Sequence, residues 1–488
     1  MTSADRTPVL VGVGVATQRE EDFRRALEPM DLMLQAVQSA GQDTGSKAAL
    51  TAVQWIAVPR GRWTYTNPAG AIARAVGATQ ATTVLTSVGV LQQTLVGAAC
   101  ARIASGEAHT TLVAGSDAGY RLLRAQLAGE KAGEQSEQGA PDEFWEPKEE
   151  LRHPVERRAG LQMPVGLYAL MESAYRHAKG WSVQEHRDRL ASLYADFSRI
   201  AAGNPHAWLR KELRPEDVRD ASERNPMQAF PYTRFHCSSW NVDQACALLF
   251  CSAQRAAELG IPRSRWVYPL ASTESNHMQA VSTRPRIHEC VGARVAGQAA
   301  LAGAGLRADE VDLVELYSCF PVAVETYADA LGLSANRALT LTGGMSFAGG
   351  PYNNYELQST ARAAELLREG RGRTALVSCV SGVLTKQAFG LWGVAAPREG
   401  FVHADVSDEV AAQAQARVVL EAHTGPARVV GCTVLHGRGK PPRAMVLAQV
   451  PGGQRALATT QDASWVARLQ QEEYVGRDVR IAGQELVQ

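Results

Sequence analysis

Residues 343–355 read Gly-Gly-Met-Ser-Phe-Ala-Gly-Gly-Pro-Tyr-Asn-Asn-Tyr, and this stretch does most to limit what the chain can fold into. Two glycine pairs, a proline and two asparagines stand between a short apolar run, residues 338–342, and an amphipathic run, residues 356–368. That order is a strand, a sharp turn and a helix. Glycine accepts the positive φ that such a turn demands and lets another group approach the backbone closely. Asn353 and Asn354 can cap the helix, whose first N–H groups then face the loop. The loop can receive a polar or anionic group of a small molecule, or its glycines can serve packing in a tight turn. The loop by itself leaves both readings open.

The same grammar recurs along the chain. Residues 8–15, 53–58, 82–86 and 110–114 read as strands, and residues 31–40, 71–76 and 90–105 as helices. Helix 90–105 carries small residues all round, which implies contact on several sides and a central place. It follows Ser87-Val88-Gly89, ends at Gly106 and leads into a strand closed by Gly115. Strands alternating with helices imply a parallel sheet with helices on its faces. Residues 120–235 then turn charged and rich in Trp, His and Arg. They hold helices at 166–179 and 183–201 and an exposed loop at 130–150, and read as an insertion covering one end of the sheet. The alternation resumes with strands at 243–252, 266–270, 311–316 and 374–379 and helices at 253–259, 292–304 and 321–331. Gly89, helix, Gly106, strand, Gly115 is echoed by Gly350, helix, Gly370, strand, Gly382, as two halves of similar design would require. Beyond residue 397 come a helix at 407–420, β-rich runs at 427–435 and 443–450, and a short helix within 457–469. The expected domains are residues 1–119 with 236–262, the insertion 120–235, a second half at 263–397, and an added β-rich domain at 398–488.

Composition excludes some functions. Lys+Arg and Asp+Glu number 50 each, so no electrostatic footprint for nucleic acid or an anionic membrane is expected. The eight cysteines form no Cys-x-x-Cys pair and several lie in apolar runs, which fits buried free thiols in a reducing compartment. No signal pattern and no 18-residue apolar run is present, so a cytoplasmic protein without membrane insertion is expected. Gly12-x-Gly14 is too short for a dinucleotide fingerprint, since Thr17 stands where the third glycine would be.

Four segments resemble the thiolases. Residues 87–118 are similar to their nucleophile loop, buried helix and following strand. Residues 311–324 are similar to the segment carrying a substrate-polarising Asn or His, residues 343–355 to the Gly-His-Pro loop, and residues 378–382 to the motif with a second, acid/base cysteine. The order is kept over residues 8–395. Leu-Tyr-Ser-Cys-Phe-Pro at 316–321, Phe-Ala-Gly-Gly-Pro-x-Asn-Asn-Tyr at 347–355, Leu-Thr-Lys at 384–386 and the added domain from about residue 400 resemble the thiolase-like proteins of type 1. These are often labelled acetyl-CoA acetyltransferases and are related to the sterol-carrier-protein thiolases. The resemblance implies an α/β thiolase-like fold: two similar βαβ halves in a layered α-β-α-β-α core, plus a small β-rich C-terminal domain. It also implies a coenzyme A thioester as substrate, no separate cofactor, no metal, a homodimer and a place in lipid metabolism.

The departures bear on chemistry. The nucleophile position falls on Gly89, with Ser87 the nearest hydroxyl; the Gly-His-Pro histidine falls on Gly350; the Asn/His position falls on Tyr317. Claisen condensation needs a thiolate to hold the acyl group and bases to move protons, and those positions lack them. Cys379, at a strand end, falls on the acid/base cysteine in this resemblance or serves packing. Cys319 stands just before a helix N-terminus, which can lower a thiol pKa, although free cysteines are more often buried and inert. Tyr317 can donate to a thioester oxygen or be a core phenol. Catalytic candidates are therefore Cys319, Tyr317 and Cys379; substrate-binding candidates are Gly89, Gly349, Gly350, Asn353, Asn354 and Ser381. Lys386 can meet a phosphate but reads first as solvated, His277 suits a surface role as well as a catalytic one, and His236-Cys237 beside Ser238 and Ser239 carries little weight. Two functions stay open: an acyltransferase with a non-standard site, and a catalytically silent acyl-CoA binder or partner subunit.

Overall fold

The computed structural model describes residues 3–135, 139–147, 153–334 and 336–487. In the first sheet, Asp243–Ser252 lies antiparallel between Pro8–Gln18 and Thr110–Ala118. Thr110–Ala118 pairs in parallel with Trp55–Pro59, which pairs in parallel with Thr82–Thr86. The second sheet repeats the succession. Lys386–Gly393 lies antiparallel between Tyr268–Ser275 and Thr374–Ser381, and the latter pairs in parallel with Leu313–Glu315. The glycine echo in the sequence thus corresponds to two halves with one strand order. Strands covered on both faces read as unbroken apolar runs, and Asp243–Ser252 is buried at every position.

Two helices are sealed between the sheets, Gln92–Ser105 and Tyr355–Arg368. Leu95, Ala99 and Leu357 share one core with Phe250 of the first sheet and Trp392 of the second. Pro29–Asp43 covers the outer face of the first sheet and Val291–Ala304 that of the second, completing five layers. Pro29–Asp43 rides low on its strand because Gly12 and Gly14 face it. A methyl on Gly14 would lie 2.0 Å from the carbonyl oxygen of Ala36, and one on Gly12 would lie 2.2 Å from that of Ala40. Gly14→Ala is therefore expected to lower the free energy of unfolding by about 2 kcal/mol, since helix and strand must part to admit the methyl. Urea denaturation checks this. Gly203→Ala, at a helix end with open space around it, serves as the neutral control.

The C-terminal sheet closes on itself. His423–Gly437 pairs with Lys440–Gln449 and also with Asp478–Gly483, and Arg455–Thr460 and Glu485–Val487 complete the ring. Closure removes exposed edges, and Val434, Val446 and Trp465 fill the domain's own core.

Several strands pair outside the segments that the sequence assigns to each unit. Glu143–Trp145 joins the first sheet beside Thr82–Thr86. The hairpin of Met227–Ala229 and Tyr232–Thr233 joins the C-terminal sheet through Ala229 and Leu435. Val402–Asp405 pairs with Tyr268–Ser275. Residues 136–138 and 148–150 of the expected loop at 130–150 lie outside the described residues. The helix expected at 407–420 is Ser407–Gln413. The strand expected at 338–342 is not in a ladder, because the Glu315 carboxylate takes the backbone N–H groups of Leu341 and Thr342. Lys386–Gly393, the central strand of the second half, is one that the sequence reading left out.

Candidate active site

The layers aim the N-termini of both buried helices at one point. Gln92 opens the first helix, and its side-chain amide donates to Asn353 Oδ1 at 2.6 Å. Its carbonyl oxygen accepts from the backbone N–H of Glu356, in the first turn of the second helix, at 3.2 Å. Cys379 Sγ lies 3.9 Å from the same Gln92 oxygen. The backbone N–H of Tyr317 donates to Ser378 Oγ at 2.8 Å, and the Tyr317 ring meets Tyr355 edge-on at 5.6 Å. Ser381 pairs across a hairpin with Lys386. Lys386 Nζ, in turn, donates to the carbonyl oxygen of Gly89 at 3.1 Å. The turns at Gly89, Tyr317, Gly350 and Ser381 therefore meet, each brought there by the end of a different strand or helix.

The glycine loop is packed, and its neighbours explain why. A methyl on Gly349 would lie 2.2 Å from Gln244 Oε1, and one on Gly350 would lie 2.1 Å from Ser238 Oγ. Gly349 also has φ +107, a conformation that side chains resist. Of the two readings the loop leaves open in sequence, packing accounts for both glycines. Glu315 fixes the approach to the loop. Its carboxylate is fully buried. It accepts from Tyr355 OH at 2.6 Å, from the hydroxyls of Thr340 and Thr342, and from the backbone N–H groups of Leu341 and Thr342.

The electrostatics disfavour a resting thiolate. Burial pushes the Cys319 thiol up to about 12, although a hydrogen bond with Tyr168 and nearby backbone N–H groups oppose it. The helix N-terminus does not lower it as the sequence position suggested, because desolvation outweighs the helix. Burial also raises Cys379, and the neighbouring Glu356 raises it further, against the backbone N–H groups of Gln93 and Gln92. Tyr317 is raised by burial as well. Glu356 is fully buried, and desolvation lifts its carboxyl to about 8 against a hydrogen bond from Thr360.

Two polar atoms at this junction are sealed from solvent and have no partner among the described residues, Asn353 Nδ2 and Glu356 Oε2; Gln93 Oε1 is unpartnered too but faces Gly390 in the second sheet. Neither side-chain atom of Asn354 has one either, and Asn354 makes no cap bond to the helix. The expected capping by Asn354 is absent because its side chain is turned against Gly115, where a methyl would lie 2.5 Å from its Oδ1. Beyond the hairpin turn, Cys290, Gly292, Leu384, Thr385 and Gln387 line part of a cavity of about 450 Å³ with Arg284, Arg286, Arg417 and His277 on its walls.

Residues 405–485 match the family model described as the thiolase-like protein type 1 additional C-terminal domain. A monomeric SCP2-thiolase-like protein type 1 from Mycobacterium smegmatis superposes on 99% of this chain and 98% of its own, with TM-score 0.82 and 27% identity. The added domain and the overall fold of this chain are those of the thiolase-like proteins of type 1. Two curated relatives align over shorter stretches. An acetyl-CoA acetyltransferase of Methanocaldococcus jannaschii is 28% identical over 156 residues, 32% of this chain and 37% of its own. The benzoylsuccinyl-CoA thiolase subunit BbsB of Thauera aromatica is 27% identical over 173 residues, 35% of this chain and 41% of its own. The matched part thus spans less than half the length of either.

The expected homodimer is not supported for this thiolase-like protein. The Mycobacterium smegmatis relative is described as monomeric, and Glu143–Trp145 of the same chain occupies the edge of Thr82–Thr86. No helix among the described residues is long and apolar enough to cross a membrane. Lys386, read as solvated, is buried at 2% exposure, because its strand runs between two others. His236 is also buried, donating or accepting at Thr233 3.0 Å away, and burial drives it down to about 3.

Gln92, Glu315 and Glu356, which hold this junction together, were not singled out from the sequence. Glu315 had a signal, a carboxylate inside an apolar strand, since such a residue is almost never fully buried unless paired. Glu356 was hidden because an acidic residue in a first helical turn is ordinary.

Proposed function

We propose that this thiolase-like protein binds an acyl-coenzyme A thioester at the junction of the four turns and does not carry out thiolase-type Claisen condensation there. The observation that carries this reading is the pair of buried, unpartnered polar atoms, Asn353 Nδ2 and Glu356 Oε2, beside Gln92 and Cys379 at two converging helix N-termini. Such a set suits the carbonyl and amide groups of a thioester arm. The arginine-walled cavity behind the Leu384–Thr385 turn suits the anionic end of the same molecule. The names of the relatives, an acetyl-CoA acetyltransferase and a benzoylsuccinyl-CoA thiolase subunit, agree with this class of ligand. Against condensation stand Gly89, which offers no nucleophile, and thiols that burial holds protonated.

The test is a melting curve with acetyl-CoA. At one hundred times its Kd a ligand adds about 2.7 kcal/mol, which is a rise of roughly 2–4 °C for a chain of this size. No shift with either CoA or acetyl-CoA removes the ligand from the proposal.

A second reading, acyl transfer, rests on Cys379 and Glu356. The Cys379 sulfur would attack the thioester carbonyl, its proton passing to ionised Glu356. The bond from carbonyl to coenzyme A sulfur would break, and the departing thiolate would take that proton. Because Glu356 is held near 8, formation of an acyl adduct would rise as pH passes that value. Mass spectrometry finding no adduct on Cys379 at pH 9 leaves binding alone.

A further inference from the structure

A second polar cluster lies in the helical layer over the second half. Glu172 comes from helix Pro164–Lys179, His186 from Val183–Gly203 and Glu325 from Pro321–Leu331. One ligand atom from each falls within 4.8 Å of the others. Glu172 and His186 are fully buried, and Glu325 is the one of the three that reaches solvent. His186 Nε2 stands 2.8 Å from Glu172 Oε1, yet neither imidazole nitrogen has a hydrogen bond of good geometry among the described residues. A buried imidazole without bonds is expensive, and here it faces two carboxylates. Glu325 Oε2 is likewise sealed and unpartnered. The other oxygen of Glu172 is already oriented, accepting from Tyr232 OH at 2.5 Å.

The charges also call for a cation. Two carboxylates and one imidazole converge there with two of the three side chains fully buried. Lys179, whose charge acts on Glu325, pairs with Asp329 at 2.7 Å. The two carboxylates therefore take up either a proton or a metal ion. The unbonded imidazole tells the two apart, since a proton shared by the carboxylates would leave His186 without a partner.

We propose that Glu172, His186 and Glu325 bind a divalent first-row cation, zinc being the one whose filled shell tolerates a nitrogen and two carboxylate oxygens without a fixed geometry. The ion enters past Glu325. Its role is to fasten two helices of the covering layer to Pro321–Leu331, whose N-terminus follows Cys319 and Phe320. Tyr232 supplies the outer hydrogen bond that orients a ligating carboxylate.

The experiment uses the full chain, stripped with EDTA and dialysed. Zinc uptake is followed by elemental analysis and melting temperature, and cobalt uptake by visible absorption. Binding of about one equivalent per chain, a melting temperature that rises with Zn²⁺, and a cobalt spectrum showing nitrogen and oxygen ligands support the site. Glu325→Gln keeps the shape and is expected to weaken zinc at least tenfold. If the stripped wild type takes up neither ion and its melting temperature is unmoved, the pair is balanced by a proton and the proposal falls. It falls equally if Glu325→Gln binds zinc as tightly as wild type. The cobalt spectrum of the wild type decides the matter even if the variant does not fold.

Discussion

Replacing Glu315 with alanine is expected to remove about 3–5 kcal/mol from the free energy of unfolding, the sum of stranded donors and a new cavity. The backbone N–H groups of Leu341 and Thr342 point at this carboxylate and at nothing else nearby. They cannot turn away, so each loses its acceptor. The hydroxyls of Thr340, Thr342 and Tyr355 can partly rescue one another, since Thr342 and Tyr355 already lie 2.7 Å apart. The gain from relieving a buried charge offsets part of the loss, because desolvation raises the Glu315 carboxyl despite its five donors. Glu315→Gln, which keeps one accepting oxygen, should fall about halfway between. Denaturant unfolding at neutral pH checks the order wild type, Gln, Ala. A Glu315→Ala protein within about 1 kcal/mol of wild type would mean that the loop is held by something else. The same variant should weaken the thermal shift with acetyl-CoA, since Tyr355 opens the helix whose first turn carries Glu356.

Glu356 sets the second large effect, which depends on pH. Its carboxyl rises from an ordinary 4.5 to about 8 on folding, through burial. A group raised in the folded state contributes its stability in full below the unfolded pKa and loses it as pH climbs through the folded pKa. Folding should therefore weaken from about pH 4.5 to about 8, by about 3–5 kcal/mol from this residue. Glu356→Gln cannot ionise. Relative to wild type it should be nearly level below pH 5 and more stable above pH 8. Asp243, which burial lifts to about 6, slopes the same way in both proteins, so the difference between the two curves isolates Glu356. Parallel curves would show that the buried carboxyl finds a partner when it ionises. At pH 7 the folded protein should hold this proton, which makes Glu356 a donor to a bound carbonyl rather than a base.

Both predictions concern carboxylates that a reading of motifs passed over, and the reason is physical. The glycine loop was legible because turns leave a compositional trace: two glycine pairs, a proline and two asparagines. Helix Gln92–Ser105 was legible because a helix packed on all sides needs small residues all round. Lys386 was misread because its burial depends on Lys386–Gly393 lying between two other strands, and a lysine carries no local sign of that. Cys319 shows the same limit. Its position before a helix is local, but the burial that outweighs the helix is tertiary, and even the hydrogen bond that opposes it comes from Tyr168, distant in the chain.

The order of strands, glycines and helices along the chain pointed to an α/β fold with a β-rich addition, because hydrophobic periodicity and turn chemistry are short-range properties written residue by residue, and the motif resemblance supplied its two similar halves. Which side chains meet at the junction of the four turns, and in what state of protonation, was decided only by the tertiary structure. Gln92 reaches Asn353 and Glu356 across more than 250 residues. The cost of charging Glu356 or Cys379 is set by how completely two sheets exclude water from them.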